Sequence, residues 1–261
     1  MPRIITLTSD FGEGSPYVAA MKGVILSINP SAMVVDVTHS IHHQDVRHGA
    51  LVLERTTRWF PPDTIHVAVV DPGVGTARAI LYARIGEHDF LAPDNGLLSR
   101  LALSNPPSTI IGVSDPQFWL PSVSATFHGR DILAPVAARL SLGLAPARLG
   151  AARHELILLQ WPEACVTEKK IEGAVQEIDS FGNLITNIKA DALAGVPRGE
   201  EVTVLCDEHE TQGIFTTYAD QPQMTLIALV GSSGNLELAI VGDSAAVMLG
   251  VPVGTPVTVK W

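Results

Sequence analysis

Two kinds of hydrophobic spacing divide this chain, and the point where one gives way to the other limits what it can fold into. Short β-branched runs at 3–9 (RIITLTS), 33–38 (MVVDVT), 64–70 (TIHVAVV) and 79–85 (AILYARI) end at turn-forming residues and read as strands. Between them, 16–28 (PYVAAMKGVILSI) and 45–59 (DVRHGALVLERTTRW) carry apolar residues at three- and four-residue intervals, the period of a helix with one buried face. LAPVAARLSLG, ending at Gly143, reads as a further helix. Strand alternating with helix predicts an α/β unit built on a largely parallel central sheet. From about residue 170 the helical period gives way to short strands separated by Gly, Asn and Pro, at 171–178, 184–189, 201–206, 225–230, 236–241 and 255–260. That pattern predicts a smaller all-β, barrel-like unit. The expected division is an α/β domain over 1–160, a linker over 161–170 marked by Pro162 and mixed charges, and a barrel-like domain over 171–261.

Charge narrows the partners. Lys and Arg number 17 against 27 Asp and Glu, a formal net charge of −10. Such a chain repels phosphate backbones and anionic lipid, so neither nucleic acid nor a membrane is an expected partner. Charged residues are only 17% of the chain, against roughly 25% in an average soluble domain, which predicts that part of the surface is covered by other copies. The apolar runs are far shorter than the roughly 20 residues of a bilayer span. MPRIITLTSDF interrupts its apolar run too early for a secretory signal. Cys165 and Cys206 stand far apart. These features together predict a reducing, cytoplasmic setting.

Several residues could carry chemistry. Asp10 follows the first strand in TSDFG, at the strand end where ligands collect in open α/β sheets, and its two acceptor oxygens suit a pair of vicinal hydroxyls. It could instead cap the helix starting near Pro16, although Ser15 is the better cap. Asp71 ends a strand in VVDPGVGTAR, and a Gly-rich loop carries the chain to Arg78 seven residues on, so both side chains can face one pocket. The same DPG could be a plain turn. His128 lies in TFHGRDI, where Gly129 suggests close backbone approach to something bound. His39, His42, His43 and His48 cluster at 39–48, and with Asp10, Asp71 and Asp94 they raise a metallohydrolase reading built on Asp10, His39, Asp71 and His128. Against it, His42 and His43 are adjacent and cannot point the same way, and no HExxH-like spacing occurs, so no metal site is expected. In IDSFGNLITN, Phe181 could stack a heterocycle and the Asn183 amide could both donate and accept, as adenine requires at N6 and N7, unless Gly-Asn is only a hairpin turn. Ser232, Ser233 and Glu237 in GSSGNLELA offer further polar contacts.

The order of these motifs adds what none gives alone. TSDFG at 8–12, VDVTHSI at 35–41, VDPGVGTAR at 70–78, APDNGLL at 92–98, TFHGRDI at 126–132, DSFGNLITN at 179–187 and GSSGNLELA at 231–239 span nearly the whole chain. Together they resemble the S-adenosyl-L-methionine hydroxide adenosyltransferase (SAM hydrolase) family, which is related to the fluorinating and chlorinating enzymes. The resemblance implies water or hydroxide attack at ribose C5′, giving adenosine and L-methionine, with SAM as substrate and no cofactor. It also implies a homotrimer with sites between neighbouring subunits. It places the activating trio at Asp71, Arg78 and His128 and ribose binding at Asp10. Adenine binding falls at Asn183, with aromatic contacts at Phe181 and Tyr218, and further ligand contacts at Ser232, Glu237 and the backbone near Ile240. The halogenating relatives carry Tyr where this chain has Asp71 and His128, and Ser where it has Gly129, so hydrolysis is expected over halogenation. A nucleoside-binding module without turnover is the expectation from a different class.

Overall fold

The computed structural model describes residues 3–261. Two compact units divide between Leu159 and Gln160.

The first unit holds strands β1 (Ile4–Ser9), β2 (Met33–Thr38), β3 (Ile65–Val69), β4 (Ile80–Ile85), β5 (His88–Pro93) and β6 (Thr109–Gly112), with helices α1 (Pro16–Ile28), α2 (Val46–Thr56), α3 (Ser99–Ser104) and α4 (Ala134–Ser141). The strand order is β2-β1-β3-β5-β4-β6. β1 runs parallel to β2 and β3, and β3 parallel to β5. β4 is antiparallel to both its neighbours. The sheet is therefore largely parallel, as its alternating sequence predicts.

Burial on both faces explains the uninterrupted apolar runs, because a parallel strand covered by helices has no wet side. Ile65, Val67 and Val69 join Val18, Met21 and Ile25 of α1 and Val136 and Leu140 of α4 in one core. Ala68 and Val70, pointing to the opposite face, join Leu53 of α2 and Leu97 in another. Helix entry follows the cap chemistry. The Ser15 side chain accepts from the Tyr17 amide at the start of α1, and Asp45 accepts from the His48 amide at the start of α2.

The named strands of the second unit all pair antiparallel, and its α-helix is α5 (Ala245–Leu249). Its strands are β7 (Cys165–Val166), β8 (Lys170–Ile178), β9 (Leu184–Lys189), β10 (Thr203–Cys206), β11 (His209–Gln212), β12 (Leu226–Val230), β13 (Asn235–Ile240) and β14 (Pro256–Lys260). Their order is β11-β10-β14-β8-β9-β13-β12, with β7 paired to β8. Thr211 Oγ1 of β11 donates to the Leu226 carbonyl of β12 at 2.7 Å, so the two ends of the sheet nearly meet. This is the barrel-like form the short strands predict, and Ile171, Val175, Leu184, Leu238 and Val257 fill it. Cys165–Val166, in the stretch read as a linker, forms a short strand of this sheet.

Candidate active site

In the first unit the polar groups gather where the parallel strands end. Ser9 of β1 pairs with Val69 of β3, so Asp10 and the loop that opens with Asp71 leave the sheet at the same edge. That loop turns back on itself. The Val74 amide donates to the Asp71 carbonyl at 3.2 Å, and the Thr76 amide and hydroxyl donate to the Gly73 carbonyl at 3.2 and 2.7 Å. Gly75 adopts φ +79°, and a Cβ there would lie 2.4 Å from the Ala125 carbonyl oxygen. Only glycine lets the loop close against that backbone.

The turn brings Arg78 back onto Asp71. Arg78 Nε donates to Asp71 Oδ1 at 2.9 Å and its Nη2 to Oδ2, a bidentate pair between two mostly buried side chains. The same Nη2 lies 2.9 Å from Nδ1 of His128. A guanidinium carries no acceptor, so Nδ1 must offer its lone pair, and the proton of the neutral ring is on Nε2. Burial, followed by the Arg78 charge, pushes the His128 imidazole below its ordinary range and favours that neutral form.

His128 precedes a single π-turn, Gly129–Leu133, that leads into α4. A Cβ on Gly129 would meet Met21 Sδ at 3.3 Å and Phe127 and Val69 at 3.4 Å. The close approach suggested by this glycine is therefore to the protein core rather than to a bound group. Arg78 and His128 also border a cavity of about 320 Å³ whose walls include Ile80, Val113, Trp119 and Ile132.

Asp10 is anchored without being exhausted. Its Oδ2 accepts the Gln44 amide at 2.8 Å, and its carbonyl accepts from His43 Nδ1 at 3.0 Å. The histidine segment thus serves as scaffolding for the Asp10 loop. His39 Nδ1 bonds Ser9 Oγ at 2.7 Å, while its Nε2 lies 3.1 Å from Asp36, within reach of the charge though not aligned for a hydrogen bond. Asp10, His39 and His43 are thus engaged with one another's loops and with Ser9 and Asp36. Among the described residues, no group of three or more His, Cys, Asp or Glu side chains is gathered to hold a metal ion.

The second unit contains its own cavity, of about 630 Å³. Six of the seven residues singled out in this half of the sequence line it: Phe181, Asn183, Tyr218, Ser232, Glu237 and Ile240; Ser233 is not among its walls. Phe181 is largely exposed, whereas Asn183 and Glu237 are buried. Tyr218 donates its phenol proton to the Glu237 carboxylate, and burial with that hydrogen bond raises the phenol's pKa. Sequence reasoning missed four more lining residues, Asp179, Gly242, Asp243 and Ser244. For Asp179 a signal was present, since an Asp two and four residues ahead of a Phe and an Asn that follow a turn can accept both their amides.

The fold and these groups define a class: a two-unit chain with a carboxylate–guanidinium–imidazole cluster at the parallel-strand ends of one unit and an aromatic- and amide-lined cavity in the other. The model for the SAM hydroxide adenosyltransferase N-terminal domain matches residues 5–150, and that for the C-terminal domain matches residues 173–258. The chain belongs to the SAM hydroxide adenosyltransferase family. It is 37% identical to an (R)-S-adenosyl-L-methionine hydrolase of Salinispora arenicola, covering 96% of this chain and 95% of that protein. It is also 37% identical to the (R)-S-adenosyl-L-methionine hydrolase of Thermus thermophilus, covering 98% of each. Proteins named fluorinase match at 27–29% identity. A crystal structure of an uncharacterized conserved protein from Thermotoga maritima superposes with a TM-score of 0.93 at 34% identity, covering 98% of this chain and 100% of that one.

Proposed function

We propose that this chain hydrolyses S-adenosyl-L-methionine at ribose C5′ to adenosine and L-methionine, acting on the (R) sulfonium form for which its relatives are named. The observation that carries the reading is Arg78 joining Asp71 and His128 in one hydrogen-bonded cluster, in a chain 37% identical to such hydrolases over nearly its full length.

The chemistry asks little of the leaving group and much of the nucleophile. As the water oxygen bonds to C5′, the C5′–S bonding pair returns to sulfur, and a cationic sulfonium becomes a neutral thioether that needs no acid. Water itself is a poor nucleophile and gains positive charge as it attacks, so a nearby acceptor lowers the barrier. In our assignment Asp71, which keeps lone pairs beyond the two that Arg78 occupies, is that acceptor. Arg78 fixes the carboxylate and the imidazole, and the Nε2–H of His128 donates to the oxygen to hold its lone pair toward carbon. The released proton passes to solvent. Asp10 binds the ribose hydroxyls. Phe181, Asn183 and Tyr218 hold the adenine, with Ser232, Glu237 and the backbone at Ile240 completing the cavity. A carboxylate at position 71 also opposes a halide nucleophile, which separates this reading from halogenation.

The proposal extends to a cytoplasmic homotrimer that uses no cofactor or metal. Incubation with resolved (R)- and (S)-SAM followed by chromatography tests it. Adenosine and methionine appear from the (R) form, in EDTA as well as without it. Unchanged substrate would establish a binding module instead.

A further inference from the structure

We propose that Asp179 sets the base selectivity of the second unit's cavity by fixing which end of the Asn183 amide is free, so that the cavity takes a 6-aminopurine and refuses a 6-oxopurine. This rests on the reading above that Asn183 meets the purine.

An amide's two ends are nearly the same shape, and only its partners decide its orientation. Here the partner is unambiguous. Asp179 Oδ1 accepts the backbone amides of Phe181 and Asn183, both at 2.9 Å, and Oδ2 lies 3.0 Å from the Asn183 side-chain amide. An ionised carboxylate only accepts, so the atom facing it is the NH2 group. Rotating the amide would set two acceptor oxygens against each other. Asn183 is 7% exposed, so little water is at hand to relieve such a clash. One N–H is thereby committed to Asp179, leaving one N–H and the carbonyl for a ligand. That pair complements adenine, which donates at N6 and accepts at N7. A 6-oxopurine presents two acceptors and meets the Asn183 carbonyl with its own. Selection by a buried hydrogen-bonding group can be steep, because the wrong partner leaves that group unpaired. Asp179 touches no reacting atom in this account and is a positioning residue.

The test measures adenosine and inosine affinities by titration calorimetry for the wild type, Asp179→Asn and Asn183→Ala, alongside kcat and KM for SAM. Asp179→Asn retains an oxygen for the two backbone amides, so the turn can persist, but it adds an NH2 able to donate to a rotated Asn183. The wild type should prefer adenosine by about tenfold or more, and both variants should lose most of that preference. Asp179→Asn should raise KM for SAM while kcat changes little. Should Asp179→Asn fail to fold, Asp179→Ser, which also accepts the backbone amides, replaces it. Nucleoside binding that discriminates in Asp179→Asn as in the wild type, while Asn183→Ala loses discrimination, overturns the role of Asp179 alone. Discrimination surviving in Asn183→Ala overturns the placement of the base. A wild type that binds neither nucleoside overturns the functional reading as well.

Discussion

One guanidinium nitrogen of Arg78 donates to Nδ1 of His128 at 2.9 Å while the same side chain clasps both oxygens of Asp71. The three groups are therefore one electrostatic unit, with Arg78 fixing both the free face of the carboxylate and the tautomer of the ring.

Arg78→Lys should consequently be almost as damaging as removing Asp71. A lysine keeps the charge but has no planar fork with which to hold a carboxylate and an imidazole together. Turnover in Arg78→Lys and in Asp71→Asn is expected to fall by about 10²–10⁴-fold, while adenosine affinity, measured separately by calorimetry, changes by less than about threefold. Wild-type turnover in Arg78→Lys would show that the bidentate geometry is irrelevant.

The pH profile follows from the direction of the His128 shift. Burial and Arg78 lower its pKa below the ordinary histidine value of about 6.5, so the ring is neutral at pH 7 and gains a proton only on further acidification. Protonation removes the lone pair that accepts from Arg78 and breaks the cluster. Log kcat/KM should stay level from pH 8 to near neutrality and bend downward below about pH 6.5, and ring titration followed by NMR should give a midpoint on the acid side of an ordinary histidine. His128→Gln should have low activity and lack that bend. An acid limb of the same midpoint in His128→Gln would move the titration to another group.

Much of this is legible in the sequence. The β-branched runs ending at Ser9 and Val70 mark the two neighbouring strands that carry Asp10 and Asp71, because Ile, Val and Thr are the residues that suit a strand and turn-forming residues follow each run. Gly73 and Gly75 marked a loop able to return Arg78 to Asp71. By contrast, β5 and β6 escaped notice. HDFLAP opens with His and Asp and ends in Pro, and the buried charge it contains, Asp89, is neutralised by Arg3 and Arg84 from elsewhere in the fold. TIIG has four residues, too few to show a period. His128 stands fifty residues from Arg78, and nothing in local spacing links them; only the family resemblance did. The scaffolding contacts of the histidine cluster were not legible either, because side-chain orientation, which sequence does not carry, gives His39 to Ser9 and Asp36 and His43 to Asp10.

Acid should also unfold the first unit, through a histidine far from the cluster. His66 in β3 is fully buried, stacks on Phe90 at 5.0 Å between ring centroids, and bonds Thr6 Oγ1 at 2.7 Å. Burial, with His88 adding to it, drops its pKa from 6.5 to about 3. Between those values the unfolded chain binds a proton that the folded chain refuses, so stability falls as pH falls through this window. At about 1.4 kcal/mol per pH unit the loss from pH 6.5 to pH 4.5 is on the order of 2–3 kcal/mol. Urea midpoints at the two pH values measure it. His66→Phe should show a markedly smaller difference between them, whatever its absolute stability, and an undiminished difference would exonerate His66.

Gly75 ties the stability of the first unit to its chemistry. Alanine there would have to hold φ +79° with its Cβ 2.4 Å from the Ala125 carbonyl oxygen, a backbone atom that cannot swing aside as a side-chain tip can. Either the loop lifts or the segment leading to His128 retreats, and both separate Arg78 from its partners. Gly75→Ala should therefore lose about 1–3 kcal/mol of stability and, at temperatures where it remains folded, most of its turnover, while adenosine binding in the second unit persists. Thermal melts and single-turnover assays on the same preparation separate the two losses. A variant that melts like the wild type and turns over at its rate would mean that the loop does not depend on this left-handed residue. Lowered stability with full turnover would mean that the loop carries strain but does not set the spacing of Asp71, Arg78 and His128.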